Sequence, residues 1–208
     1  MKENILPLTL SDSEEIIIPG FWRRILAYYL DMLIMGIFSI PAIFLFKLGK
    51  PVLYLSWLFG YITIFFTQAY CVIKWGASPG KLIMKIFILK INGEPVGWSE
   101  ALKRYSIDYI FMIINTVIGI ILLTRISSSE FVALNIKTYA AKTAEIMPAY
   151  LSITSYLQVW SLINLLVFFF NKRRRVIGDF IAGTVVVKRK FEDSIKTHVE
   201  EQKALWKI

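Results

Sequence analysis

Arg24 and Asp31 stand seven residues apart in GFWRRILAYYLDMLIMGIFSIPAIFLF, an apolar run from Gly20 to Phe46. At 3.6 residues per turn, Arg24, Ala27 and Asp31 share one helical face. A carboxylate inside a membrane-length apolar run costs about 2.5 kcal/mol or more, so it calls for a function or a partner. The chemistry it offers is alternate binding of a proton and a cation. Arg24 is not expected to pair with it. The two lie roughly 10 Å apart along the axis, and both side chains lean toward the helix N-terminus. Partners are expected on other elements: Arg104 and Asp108, one turn apart before a later apolar run, and Asp179 further on. Asp31, Arg24, Asp179, Arg104 and Asp108 together form the candidate ion-binding or structural charge network.

Other chemistries find little support. Cys71 is the single cysteine and His198 the single histidine, so a disulfide within the chain is excluded and no metal site is expected. A Ser/His/Asp triad has no histidine among the apolar runs, and no enzymatic activity or cofactor is expected. GASPGK (Gly76 to Lys81) resembles a phosphate loop but has three residues between its glycines, and Leu82 follows the lysine. It reads instead as a tight turn leading into a strand.

The elements that must position these groups follow from hydropathy. The chain has 208 residues, 56% of them apolar, and a mean hydropathy of +0.58, which marks an integral membrane protein. Four runs are long enough to span a bilayer, about 21–46, 52–73, 105–124 and 149–170. Of the 24 lysines and arginines, nineteen fall in the leader, the 74–104 loop and the tail, against five in the two intervening links. That bias predicts a multi-pass protein of the cell membrane with both termini cytoplasmic. The net charge of +9 therefore needs no nucleic acid as partner.

Residues 1–19 form an acidic leader rather than a secretory signal, with Ile16 to Ile18 lying on the bilayer or on a partner strand. In the cytoplasmic loop, LIMKIFILKI (Leu82 to Ile91) ends at an Asn92-Gly93 hairpin signal, with Val96 to Trp98 as the return strand. Thr184 onward, TVVVKRK, is a second strand-like run. The expected fold class is an all-α membrane protein of four spans with a small cytoplasmic β-element. Residues 191–208 place Ile195, Val199, Gln202 and Trp206 at helical spacing, as in a surface-bound amphipathic tail. The outer loop from Ser127 to Met147 is long enough to hold an interfacial helix. Thr154, Gln158 and Ser161, with Asn115 and Gln68, suggest a polar seam between spans. Lys172 to Arg175, KRRR, suits lipid headgroups and topology anchoring.

Three blocks then carry a family resemblance. GFWRRILAYYLD, GASPGKLIMKIFILKINGEP with ALKR, and GDFIAGTVVV occur in order. Over residues 20–190 the chain resembles the RDD family of bacterial membrane proteins, named for one arginine and two aspartates. The resemblance implies that Arg24 is that arginine and that Asp31 and Asp179 are the aspartates. A histidine often precedes the closing aspartate in the family, whereas this chain has Gly178. Members are commonly proposed to act in transport, and some look like sodium/proton antiporters. The expected function is therefore small-solute transport, foremost sodium/proton exchange in a homo-oligomer, with sodium ion, proton and the lipid bilayer as partners. The alternative is a non-transporting scaffold or assembly factor that binds a partner through its cytoplasmic face.

Overall fold

The computed structural model describes residues 5–10, 15–147 and 149–205, with the backbone alone at 42, 43, 136, 149–155, 157 and 205. Long apolar runs make long helices. Helix α1 (Phe21–Leu45) starts just past the Pro19-Gly20 break and holds Pro41 inside it. Helix α2 (Lys50–Phe65) passes through a π-helical turn at Phe66–Tyr70 into α3 (Cys71–Trp75), which ends on Gly76 in the left-handed conformation. A short α4 (Pro79–Ile83) leads to strand β1 (Ile86–Lys90). Then come α5 (Trp98–Arg104), α6 (Ser106–Arg125), α7 (Ser128–Ala133), α8 (Ile136–Ile146) and α9 (Ala149–Phe170). The chain closes with α10 (Ile177–Ala182), strand β2 (Thr184–Lys188) and α11 (Glu192–Leu205).

Among the described residues, three stretches are long and apolar enough to cross a membrane: Phe21–Pro41, Lys50–Trp75 and Ser106–Arg125. No more than 17% of any of them is buried within the protein, so their apolar side chains face outward and require a nonaqueous surround. Helix α9 has 22 residues, but its described apolar part, Gln158–Phe170, is shorter than a span. The expected fourth span thus falls partly outside the described side chains.

The described residues cluster into two units. The sheet unit takes them from Met1–Ile34, Phe65–Ser106 and Leu166–Ile208; the helical unit takes Met35–Ile64 and Ile107–Leu165. In the sheet unit, β1 pairs antiparallel with β2, from Ile86 opposite Lys188 to Lys90 opposite Thr184. A lone pair of strands is marginal in water, so burial must hold it. Successive side chains alternate faces. Phe87, Leu89, Val185 and Val187 pack with Leu6, Ile17, Phe191 and Ile195, while Ile86, Ile88 and Val186 pack with Ala27, Val72 and Ala101. Both faces are covered, which is why the strands read as continuous apolar runs.

Two expectations change here, and the choice left open for Ile16 to Ile18 falls to a partner strand, β2. Val96 to Trp98 is not the return strand: only an isolated bridge joins Leu89 to Pro95, and Trp98 opens α5, where Glu100 accepts the Gly97 N–H at 2.9 Å. Ile17 is wholly buried, its N–H donating to Leu8 and its carbonyl accepting from Lys188. The tail helix turns Ile195 and Val199 onto the sheet core, and Gly93 (φ +88°) leaves them room; Trp206 lies outside the described residues.

In the helical unit, the loop from Ser127 to Met147 is two helices rather than one. Ser127 caps α7 through the Glu130 N–H, and Asn135 caps α8 through the Thr138 N–H at 2.9 Å. Phe46, Leu123, Ile126 and Phe131 form its core, with Tyr139 against it. Lys50 Nζ donates to the carbonyls of Leu123, at 2.7 Å, and Ile126, closing the C-terminal end of α6 with a cation. The polar seam is not formed by Asn115, whose amide donates to Phe111 of its own helix at 2.8 Å. Thr154's side chain lies outside the described set.

Candidate functional site

Asp31 and Asp179 organise separate centres in the sheet unit. Asp31 lies on α1, 7% exposed. The Gly80 N–H donates to its Oδ1 at 2.7 Å and the Ser78 hydroxyl to its Oδ2 at 2.6 Å. Lys81 Nζ stands 3.6 Å from the same Oδ2 and donates to Ser78 Oγ at 2.9 Å. Local sequence explains the arrangement. Ser78 in extended conformation and Pro79 start α4, whose first amides have no acceptor within the helix. Asp31 supplies one from another helix. The contact needs glycine at position 80, because an added Cβ would strike the Ala27 carbonyl oxygen and come within 2.8 Å of the Asp31 nitrogen. Ala27, small and wholly buried, keeps the facing helix low at that point.

Asp179 lies on α10 with no exposure at all. Its Oδ1 accepts from Arg104 Nη1 and from the Thr184 hydroxyl at 2.9 Å, and Arg104 Nη1 also reaches Thr184 Oγ1 at 2.7 Å. Its Oδ2 accepts the Val176 N–H at 3.2 Å and lies 3.9 Å from Arg24 Nη1. Arg24 donates to the carbonyls of Arg174 at 2.6 Å and Val186 at 3.2 Å, with the Phe168 ring 5.3 Å away. Two guanidiniums therefore converge on one buried carboxylate, and carbonyls and a ring face absorb the excess charge.

The five expected residues thus separate. Arg24, Arg104 and Asp179 come together. Asp31 does not join them; its partners are Ser78, Gly80 and Lys81, all in the stretch read beforehand as a tight turn. Asp108 is counted with the helical unit, exposed, with Trp160 Nε1 3.4 Å from its Oδ1. The Ser-Pro-Gly-Lys run carried the missing signal: a serine before a helix-starting proline, a glycine where an amide must be reached, and a lysine one residue on. Gly178 also acquires a reason. A Cβ there would collide with the Arg104 carbonyl, so no larger side chain fits between α10 and α5.

Among the described residues no group of three or more His, Cys, Asp or Glu side chains is placed to hold a metal ion. Asp31 and Ser78 supply a carboxylate and a hydroxyl oxygen, ligands suited to a hard monovalent cation, with an ammonium beside them. The Asp179 centre, crowded by two guanidiniums, offers a cation nothing. Comparison with curated proteins and with solved structures gives no match. The sequence model of the RDD family matches residues 18–183, from the leader's Ile18 through both centres to the residue before β2. With most of its length covered by that match, this chain belongs to the RDD family.

Proposed function

We propose that this protein is a four-span transporter of the cell membrane, both termini cytoplasmic, exchanging sodium or a similar monovalent cation for protons. The observation that carries the reading is the loosely held ammonium at Asp31. Lys81 Nζ stays 3.6 Å from the carboxylate, beyond hydrogen-bond length, and its side chain is 18% exposed. Neutral donors, Ser78 and Gly80, fix the carboxylate in place, while its counter-charge reaches it only through the hydrogen bond from Lys81 to Ser78 Oγ.

The cycle needs a single carboxylate that carries a cation in one state and a proton in the other. Asp31 Oδ2 and Ser78 Oγ bind the entering cation as the Lys81 ammonium withdraws. On the return step the carboxylate carries a proton, and Lys81 screens it whenever neither is bound. Arg24, Arg104 and Asp179 hold the frame. The lysine and arginine bias supports the orientation. The small bundle favours a homo-oligomer for a complete path.

Full-length protein in proteoliposomes should show sodium-dependent proton movement across the bilayer. Asp31→Asn should abolish it while the protein still inserts and folds. Equal flux from the Asn variant would overturn the proposal. Absence of flux from the wild-type protein, with a stoichiometric partner co-purifying, would favour the scaffold reading instead.

A further inference from the structure

The run Lys172 to Arg175 contains four successive cations that do not share a fate. Arg173 and Arg175 are turned to the protein: Arg173 Nη1 donates to the Leu6 carbonyl at 2.5 Å, and Arg175 Nη2 donates to the Asp179 carbonyl at 2.6 Å with its guanidinium 4.2 Å from the Phe180 ring centre. Lys172 and Arg174 are exposed. Neither has a carboxylate partner among the described residues. The nearest acceptor for Arg174 Nη1 is the Pro19 carbonyl at 3.4 Å, at the edge of a hydrogen bond.

Both of these cations line one cavity of about 340 Å³. Its other wall is aromatic, made by Phe21 and the successive rings of Phe168, Phe169 and Phe170, with Asn171 at the junction. The junction is fixed by local structure. Asn171 Oδ1 accepts the Arg173 N–H at 2.7 Å and its carbonyl accepts the Arg174 N–H at 2.8 Å, while Arg174 takes a left-handed backbone (φ +50°). A non-glycine residue in that region is uncommon, and here it turns alternate cations to opposite sides. Phe169 and Phe170, 59% and 88% exposed, continue the aromatic wall outward along an apolar helix.

An amphipathic cavity of this size, at the end of an apolar helix, has room for one headgroup with an apolar path leading from it. We infer that it is a binding site for an anionic phospholipid, the phosphodiester between Lys172 and Arg174, the glycerol over Asn171 and the acyl chains along Phe169 and Phe170. Charge sets the class: two cations with no carboxylate partner among the described residues select an anionic headgroup over a zwitterionic one. The rings set the source, because a free phosphate would leave the aromatic wall unused. The site is independent of the transport reading.

The test is native mass spectrometry of the delipidated full-length protein with equimolar phosphatidylglycerol and phosphatidylcholine. Wild-type protein should retain phosphatidylglycerol preferentially. Lys172→Gln, which removes a side chain with no partner among the described residues, should lower that preference about fivefold, and the Lys172→Gln/Arg174→Gln double variant should abolish it. Arg23→Gln, an exposed cation two residues from Phe21 that does not line the cavity, should leave the preference intact. Equal retention of the two lipids by wild type, or an undiminished preference in Lys172→Gln, would overturn the inference. Complete displacement of the lipid by millimolar inorganic phosphate would also overturn it and assign the cations to free phosphate.

Discussion

Asp31 and Asp179 are two carboxylates of the same unit, both nearly or wholly shielded, yet their surroundings answer to opposite requirements. Asp179 is met by Arg104, Arg24, Thr184 and a backbone amide, with no exposure left. Each of those groups donates to or faces the carboxylate, and no surface of it is left to meet another ion. Asp31 is held by a hydroxyl and an amide, which are neutral, and by an ammonium that does not quite touch it. Geometry is fixed by groups that carry no charge, and the balancing ammonium is bonded to Ser78 Oγ rather than to the carboxylate itself. The first arrangement pairs a carboxylate directly with guanidinium; the second holds it with neutral donors and sets the cation at one remove. Two aspartates that look equivalent in the sequence are therefore different devices.

The comparison breaks most visibly at Asp179. Replacing it by asparagine leaves two buried guanidiniums without their anion, and removing one partner of a buried ion pair costs about 3–5 kcal/mol. Asp179→Asn should show a large fall in the thermal unfolding midpoint in detergent and a low folded yield. The glycines come next. Gly80→Ala should cost about 1–3 kcal/mol, because the new methyl meets backbone rather than a flexible side chain. It should also separate Asp31 from the Gly80 amide. Gly178→Ala is its counterpart at the other centre, pressing on the Arg104 carbonyl. Thermal unfolding of the pair, with flux measured alongside, asks whether Gly80→Ala harms transport beyond its effect on stability.

Asp31→Asn should cost only about 1 kcal/mol, since an amide oxygen still accepts the Gly80 N–H and the amide nitrogen meets the Ser78 oxygen. A loss of stability equal to that of Asp179→Asn would erase the distinction between the two centres. The smallest effect lies away from both. Lys188 and Lys190 hydrogen-bond Glu15 and hold its carboxyl down to about 2. The unfolded chain takes up that proton first, so the contact stabilises the docked leader above about pH 4.3 and is lost as pH falls toward 2. Hydrogen exchange at the Ile17 amide, bonded to Leu8, should accelerate across that window while amides around Asp179 stay protected.

Much of the frame was legible beforehand, for physical reasons. Apolar length alone marks the helices, and α1, α6 and α9 begin and end within a residue or so of the runs read from hydropathy. That a small sheet would form was legible because two isoleucine- and valine-rich runs, each too short to span, must find backbone partners, although Val96 to Trp98 competed as the first run's partner. Partnerships were harder. Arg24 and Asp179 are 155 residues apart and Asp31 and Gly80 are 49 apart, and hydropathy carries no register between distant elements. Trp98 misled because an aromatic after a valine resembles a strand, whereas Glu100 three residues past Gly97 marks a helix start. The loop from Ser127 to Met147 had weak periodicity because it covers two short helices whose caps, Ser127 and Asn135, reset the phase.

The pairing of β1 with β2 has a consequence for how the protein is made. Lys90 must wait for Thr184 before the ladder closes, and the whole of α5 to α10 is synthesised in between. At cellular translation speeds that delay is on the order of ten seconds. During it, β1 is a flat apolar strand with no partner, the kind of edge that recruits other chains. Arg104 is equally early and Asp179 equally late, so a buried guanidinium also awaits its anion. A ribosome that stalls before residue 184 therefore releases a product whose membrane helices are complete but whose first strand is still open to aggregation.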